Sequence, residues 1–144
     1  MSEESQHCKM ILVEDNDDHA EMVRYYLKKI LPDMDLIHLA DGGEAIDYFS
    51  HFKGEDEDDA GFLVLLDLKL PKYDGIEVLN VIRKTPSCRC IPVVIFSTSC
   101  SQKDIQGAYG AGANSYIEKP TVSGGYQRVL ELIVNYWGMN KVIL

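Results

Sequence analysis

The stretch Phe62-Leu63-Val64-Leu65-Leu66-Asp67 constrains the fold of this chain more than any other. Its apolar residues run without a break, end on a carboxylate, and are followed by Leu68-Lys69-Leu70-Pro71. An unbroken apolar run of this length reads as a strand covered on both faces, the pattern of parallel α/β sheets. In such sheets, ligands and reacting groups collect beyond the carboxyl ends of the strands. Asp67 is therefore either a turn residue that stops a strand or part of a site, and its company in the chain decides which.

Strand and helix signals alternate from one end to the other. Met10 to Val13 reads as a short strand ended by Glu14-Asp15-Asn16. A helix follows with Val23, Tyr26, Leu27 and Ile30 on one face, stopping near Pro32. Asp35 to Ala40 forms a second strand and Gly43 to His51 a second helix. After the Asp67 strand, a helix starts near Asp74 and buries Ile76, Leu79 and Ile82. Ile91 to Phe96 is a fourth strand, ended by Ser97-Thr98-Ser99, and Lys103 to Tyr109 is a helix stopped by Gly110 and Gly112. Ser115 to Ile117 is a fifth strand leading to Glu118-Lys119-Pro120, and the final helix runs from about Gly125 to Trp137. Five βα units in series predict an α/β fold with a doubly wound, five-stranded parallel sheet. A length of 144 residues suits one such domain.

Charge narrows the partners. The net charge of −9 argues against nonspecific binding to nucleic acid or to anionic membrane. No apolar stretch approaches the roughly 18–20 residues of a membrane span, and the polar start, Met1 to Lys9, is unlike a signal peptide. A cytoplasmic protein is expected. The acidic run Glu55 to Asp59 lacks the alternating ligands and internal glycine of a calcium loop and reads as a solvated loop tip. Cys8, Cys88, Cys90 and Cys100 have no paired metal spacing and read as reduced thiols; His7, His19, His38 and His51 are equally scattered.

Four strand ends carry polar chemistry: Glu14-Asp15, Asp67, Ser97-Thr98 and Lys119. In a parallel sheet these ends converge on one crevice. Three clustered carboxylates repel unless a cation sits among them, and all-oxygen ligands with few protein contributions favour Mg²⁺. Lys119 adds a positive point charge and Ser97 a hydroxyl. Such a set suits a carboxylate nucleophile that accepts a phosphoryl group. Each piece has a plainer reading: Glu14-Asp15-Asn16 as a helix cap, Ser97-Thr98-Ser99 as a turn, Lys119 as a surface charge.

The pieces ILVEDN (11–16), LLDLKLPKYDG (65–75), VVIFSTS (93–99) and YIEKP (116–120) together resemble a two-component response regulator receiver domain. The intervals from Asp67 to Ser97 and to Lys119, 30 and 52 positions, are those of the family. The resemblance covers about Cys8 to Trp137 and implies a receiver domain over 8–138, with 1–7 and 139–144 as terminal extensions and no output domain. It implies the CheY-like, flavodoxin-like (βα)5 order 2-1-3-4-5. It implies that Asp67 is phosphorylated, that Asp15 ligates Mg²⁺ (or Mn²⁺) directly with Glu14 acting through water, and that Asp67 and the Lys69 carbonyl complete the metal site. Ser97 and Lys119 would bind the phosphoryl group. Ser97 and Tyr116 would form the switch, the hydroxyl moving inward and the aromatic rotating into the vacated space. The Lys119–Pro120 bond is expected to be cis.

Two departures from the family are visible. Lys69 is expected to pair with the phosphoryl group and prolong its life, and Thr98, where a small residue is commoner, to crowd access. The last helix spreads its apolar residues over an arc of about 200°, when a core face needs somewhat more than about 100°. The excess, Leu132 and Tyr136, predicts a partner or dimer surface on the fifth-strand and last-helix face. The acidic insertion, LLDLKLPKYDG, the FSTS segment and the Tyr-Trp end resemble the stand-alone receivers that work with bacterial phytochrome-type histidine kinases. Such a protein catalyses only its own phosphotransfer. The rival function is a pseudo-receiver that binds partners without phosphorylation. A haloacid-dehalogenase-type phosphatase needs a second acid where Lys69 stands, and an FMN phosphate would be repelled by Glu14-Asp15-Asn16.

Overall fold

The computed structural model describes residues 8–53 and 61–139. Five parallel strands, β1 (Cys8–Val13), β2 (Asp35–Leu39), β3 (Gly61–Leu66), β4 (Val93–Ser97) and β5 (Ser115–Glu118), form one sheet in the order β2-β1-β3-β4-β5. Helices α1 (Asp17–Ile30), α2 (Gly42–Ser50), α3 (Gly75–Lys84), α4 (Gln102–Gly110) and α5 (Ser123–Met139) alternate with them. The expected doubly wound architecture and strand order are those observed. The acidic run at 55–59 and the apolar tail at 142–144 lie outside the described residues.

The sheet divides the core in two because successive strand residues point to opposite faces. Met10 and Leu12, Leu63 and Leu65, and Val94 and Phe96 pack under α1 and α5 with Val23, Leu27, Tyr126 and Leu130. Ile11 and Val13, Val64 and Leu66, and Val93 and Ile95 pack on the other face with Phe49, Val78, Leu79 and Ile82. Three central strands are thus apolar on both sides, which is why their sequences do not alternate.

Helix starts are specified locally. Asn16, Asp41, Asp74 and Ser101 each accept a backbone N–H of the first turn of α1, α2, α3 and α4. Asp74 and Glu77 form a reciprocal capping box. Gly75 begins α3 against the site: a Cβ there would lie 2.5 Å from the Asp67 carbonyl oxygen and 2.7 Å from Leu68 Cα. The described residues contain no cis peptide bond, so Lys119–Pro120 is trans, contrary to the expectation. The two isomers of an X–Pro bond differ by only roughly 0.5–1 kcal/mol, so local sequence does not specify which is adopted.

Candidate functional site

Register brings the strand ends level. Val13 pairs with Leu66, Leu66 with Ile95, and Ser97 with Glu118. The residues that follow, Glu14, Asp67 and Lys119, therefore emerge side by side, and Ser97 closes β4 beside them. Glu14, Asp67, Ser97 and Lys119 are the buried polar residues among those described. Burial of charge is tolerated only with partners, and the partners are present. Lys119 Nζ donates to Glu14 Oε1 at 2.5 Å and to Asp67 Oδ2 at 3.2 Å. Asp67 Oδ1 accepts the Lys69 backbone N–H at 3.2 Å. Glu14 Oε2 accepts the Asn16 N–H at 3.1 Å.

The plainer readings separate from the site. Asn16 alone caps α1, accepting from the His19 N–H, so Glu14 and Asp15 are not needed as caps. Asp15 is exposed and lines an open cleft of about 410 Å³ with Lys69, Asp74 and Asp104. One carboxylate oxygen from each of Glu14, Asp15 and Asp67 lies within 4.8 Å of the other two. That donor set fits a hard divalent cation, which takes oxygen ligands. Burial pushes the Glu14 carboxyl up to about 7, opposed by the Lys119 hydrogen bond and reinforced by the negative charge of Asp67. A buried acid so disfavoured as an anion is what a neighbouring cation would relieve.

The remaining expected residues fall as follows. Ser97 is fully buried and its Oγ accepts the Ser99 N–H at 3.3 Å. Tyr116 is half-buried on β5 and its hydroxyl donates to the Ser99 carbonyl at 2.9 Å. Thr98 is exposed. The Lys69 ammonium is turned to Asp104 Oδ2, 3.3 Å away. Leu132 and Tyr136 are 58% and 60% exposed on α5, flanking the buried face formed by Tyr126, Leu130 and Ile133.

Two participants escaped the sequence. His19 Nδ1 lies 2.9 Å from Lys119 Nζ; an ammonium has only donors, so this nitrogen accepts. Burial and the Lys119 charge together lower the His19 pKa, keeping the ring neutral. Lys119 thus directs its three N–H donors to Glu14, Asp67 and His19. Asp104, on α4, accepts from both Lys69 and the Ser99 hydroxyl. Both residues arrive by tertiary folding, and the only local signal was the Asn16 cap, which sets the first turn of α1 above the site.

Known proteins share this frame. The chain is 38% identical over 133 residues to the probable methanogenesis regulatory protein FilR2 of Methanothrix harundinacea, covering 92% of this chain and 85% of that one. It is 35% identical over 138 residues to the response regulator Rcp1 of Synechocystis, covering 95% and 94%. The Mn²⁺-bound form of Rcp1 superposes with a TM-score of 0.79 at 33% identity, over 95% and 99% of the two chains. The phosphorylated cyanobacterial phytochrome response regulator RcpA superposes with a TM-score of 0.84 at 32% identity, over 96% and 99%. The model of the response regulator receiver domain matches residues 10–129, and with an acid cluster, a buried lysine and a β4 hydroxyl gathered at the strand ends, the chain belongs to that family of two-component signalling domains.

Proposed function

We propose that the protein accepts a phosphoryl group on Asp67 from a sensor histidine kinase and signals through protein contacts that depend on it. The observation that carries this reading is the buried contact of Lys119 with both Glu14 and Asp67. A structural ion pair needs one carboxylate. Here two buried acids share a single buried lysine, with the exposed Asp15 beside them, leaving negative charge for a cation to balance.

Asp15, Asp67, the Lys69 carbonyl and, through water, Glu14 would hold Mg²⁺, with Mn²⁺ as a substitute. Such an ion would neutralise charge on the phosphoryl oxygens. A carboxylate oxygen of Asp67 bonds to phosphorus as the donor's phosphorus–nitrogen bond, or phosphorus–oxygen bond in acetyl phosphate, breaks and the leaving group keeps the electron pair. Lys119 and the Ser97 hydroxyl bind the transferred oxygens, and the Ser97–Ser99 segment and Tyr116 respond. Receiver domains partner with histidine kinases. Likeness to RcpA and Rcp1 supports a phytochrome-type kinase for this one, whereas likeness to FilR2 supports only the receiver. The exposed Leu132 and Tyr136 support a homodimer or partner contact through β5 and α5, and the net charge of −9 supports no nucleic-acid partner.

Incubation with Mg²⁺ and acetyl phosphate, followed by intact mass, tests the reading. One added phosphoryl group is expected, absent in Asp67→Asn and absent without Mg²⁺. No adduct from acetyl phosphate or from a kinase would leave a protein-binding module without phosphorylation.

A further inference from the structure

The ammonium of Lys69 is held by one negative group, Asp104, although the residue's backbone lies beside another, Asp67. Its backbone N–H is tied to Asp67 Oδ1. Its side chain is 63% exposed and ion-paired with Asp104 Oδ2 at 3.3 Å. Lys69, Asp104 and Asp15 line the same cleft. The oxygen of Asp104 that takes Lys69 also accepts the Ser99 hydroxyl at 2.5 Å. Ser99 in turn receives the Tyr116 hydroxyl on its carbonyl, and its own N–H reaches Ser97 Oγ. The Ser99 hydrogen bond, followed by Lys69, holds Asp104 below the usual carboxylate range, so it is charged. One carboxylate thus joins the acceptor loop to the start of α4 and, through Ser99, to Tyr116.

A phosphoryl group adds roughly −1.5 to −2 charge at pH 7, against the single charge of Asp104. A lysine on a flexible four-carbon stem follows the larger charge. We infer that Asp104 is a positioning residue that competes with the phosphoryl group for Lys69, and that transfer of Lys69 to the phosphoryl group frees the Ser99–Asp104 end of α4. This rests on Asp67 being the phosphoacceptor. It adds a competitor to the expectation that Lys69 pairs with the phosphoryl group and prolongs its life. A Lys69 held on Asp104 is kept from shielding the phosphoryl group, so the Asp104 contact shortens its life.

The experiment follows the decay of the acetyl-phosphate adduct by intact mass in wild type, Asp104→Asn, Lys69→Met and the double variant. Asp104→Asn keeps an acceptor for Ser99 but loses the charge that holds Lys69. Its adduct is expected to last roughly two- to fivefold longer, the range an exposed ion pair supplies. Lys69→Met is expected to decay faster than wild type, with Asp104→Asn adding nothing in that background. Hydrogen exchange at the amides of Ser101 and Asp104 should rise on phosphorylation of wild type and be already raised in unphosphorylated Asp104→Asn. Equal lifetimes for wild type and Asp104→Asn, or the same lengthening in the Lys69→Met background, overturn the inference while leaving the phosphoacceptor intact. Failure of wild type itself to form an adduct overturns both.

Discussion

Glu14 makes the stability of this protein depend on pH in a direction opposite to that of an ordinary salt-bridged acid. Its side chain is 2% exposed, and burial raises its carboxyl from 4.5 to about 7. The folded state therefore holds a proton that the unfolded chain releases near 4.5. Between those values the folded state binds more protons, so the free energy of unfolding falls as pH rises. The contribution is fully present below about pH 4.5 and is lost as pH rises through 7. At 1.36 kcal/mol per pKa unit, the loss is at most about 3 kcal/mol.

Glu14→Gln isolates the effect of one acid among the 23 of the chain. A glutamine imitates the protonated acid and keeps an oxygen for Lys119. In urea titrations with a chelator present, variant and wild type should agree below about pH 4.5, and the variant should be the more stable at pH 8 by up to about 3 kcal/mol. Mg²⁺ should raise the midpoint of wild type more at pH 8 than at pH 5, since a cation favours the ionised carboxylate. A constant difference between variant and wild type across the whole range would refute the reasoning, because it would mean that Glu14 titrates alike in both states.

Two further substitutions probe the frame around the site. Gly75→Ala forces a Cβ onto the Asp67 carbonyl oxygen and Leu68 Cα; a loss of about 1–3 kcal/mol is expected from overpacking, read as a lower urea midpoint, together with slower adduct formation as Asp67 shifts. Leu132→Glu and Tyr136→Glu lie on an exposed flank of α5, so stability should change by no more than about 0.5 kcal/mol; sedimentation velocity should show loss of self-association, and an unchanged profile would remove this flank as the contact.

The fold was legible where one physical cause governs a whole element. β3 announced itself because burial on both faces leaves no polar position between Phe62 and Leu66. The same cause made β1 and β4 readable, and the helix start expected near Asp74 falls within a residue of that of α3, which Asp74 caps. The isomer at Lys119–Pro120 was not legible, since so small an energy difference is set by surrounding contacts rather than by the dipeptide. The α5 arc predicted both the buried centre and the exposed flank, because a wheel of side chains registers only rotation about the helix axis. It says nothing about what, if anything, covers Leu132 and Tyr136.

The candidate site was legible to the extent that it is built from strand ends. Parallel strands align those ends, so Glu14, Asp67, Ser97 and Lys119 needed only their place in each βα unit to be grouped. His19 and Asp104 stand inside helices, where rotation about the axis and the tilt of the helix on the sheet decide what a side chain meets. Their contacts are the ones that distribute the positive charge. Lys119 is held by Glu14, Asp67 and a neutral His19, and Lys69 by Asp104. Both lysines are thus engaged before any phosphoryl group arrives, the buried one firmly and the exposed one loosely. Phosphorylation at Asp67 would have to redistribute cations already in use, and the weaker hold, at Asp104, is the one that should yield first.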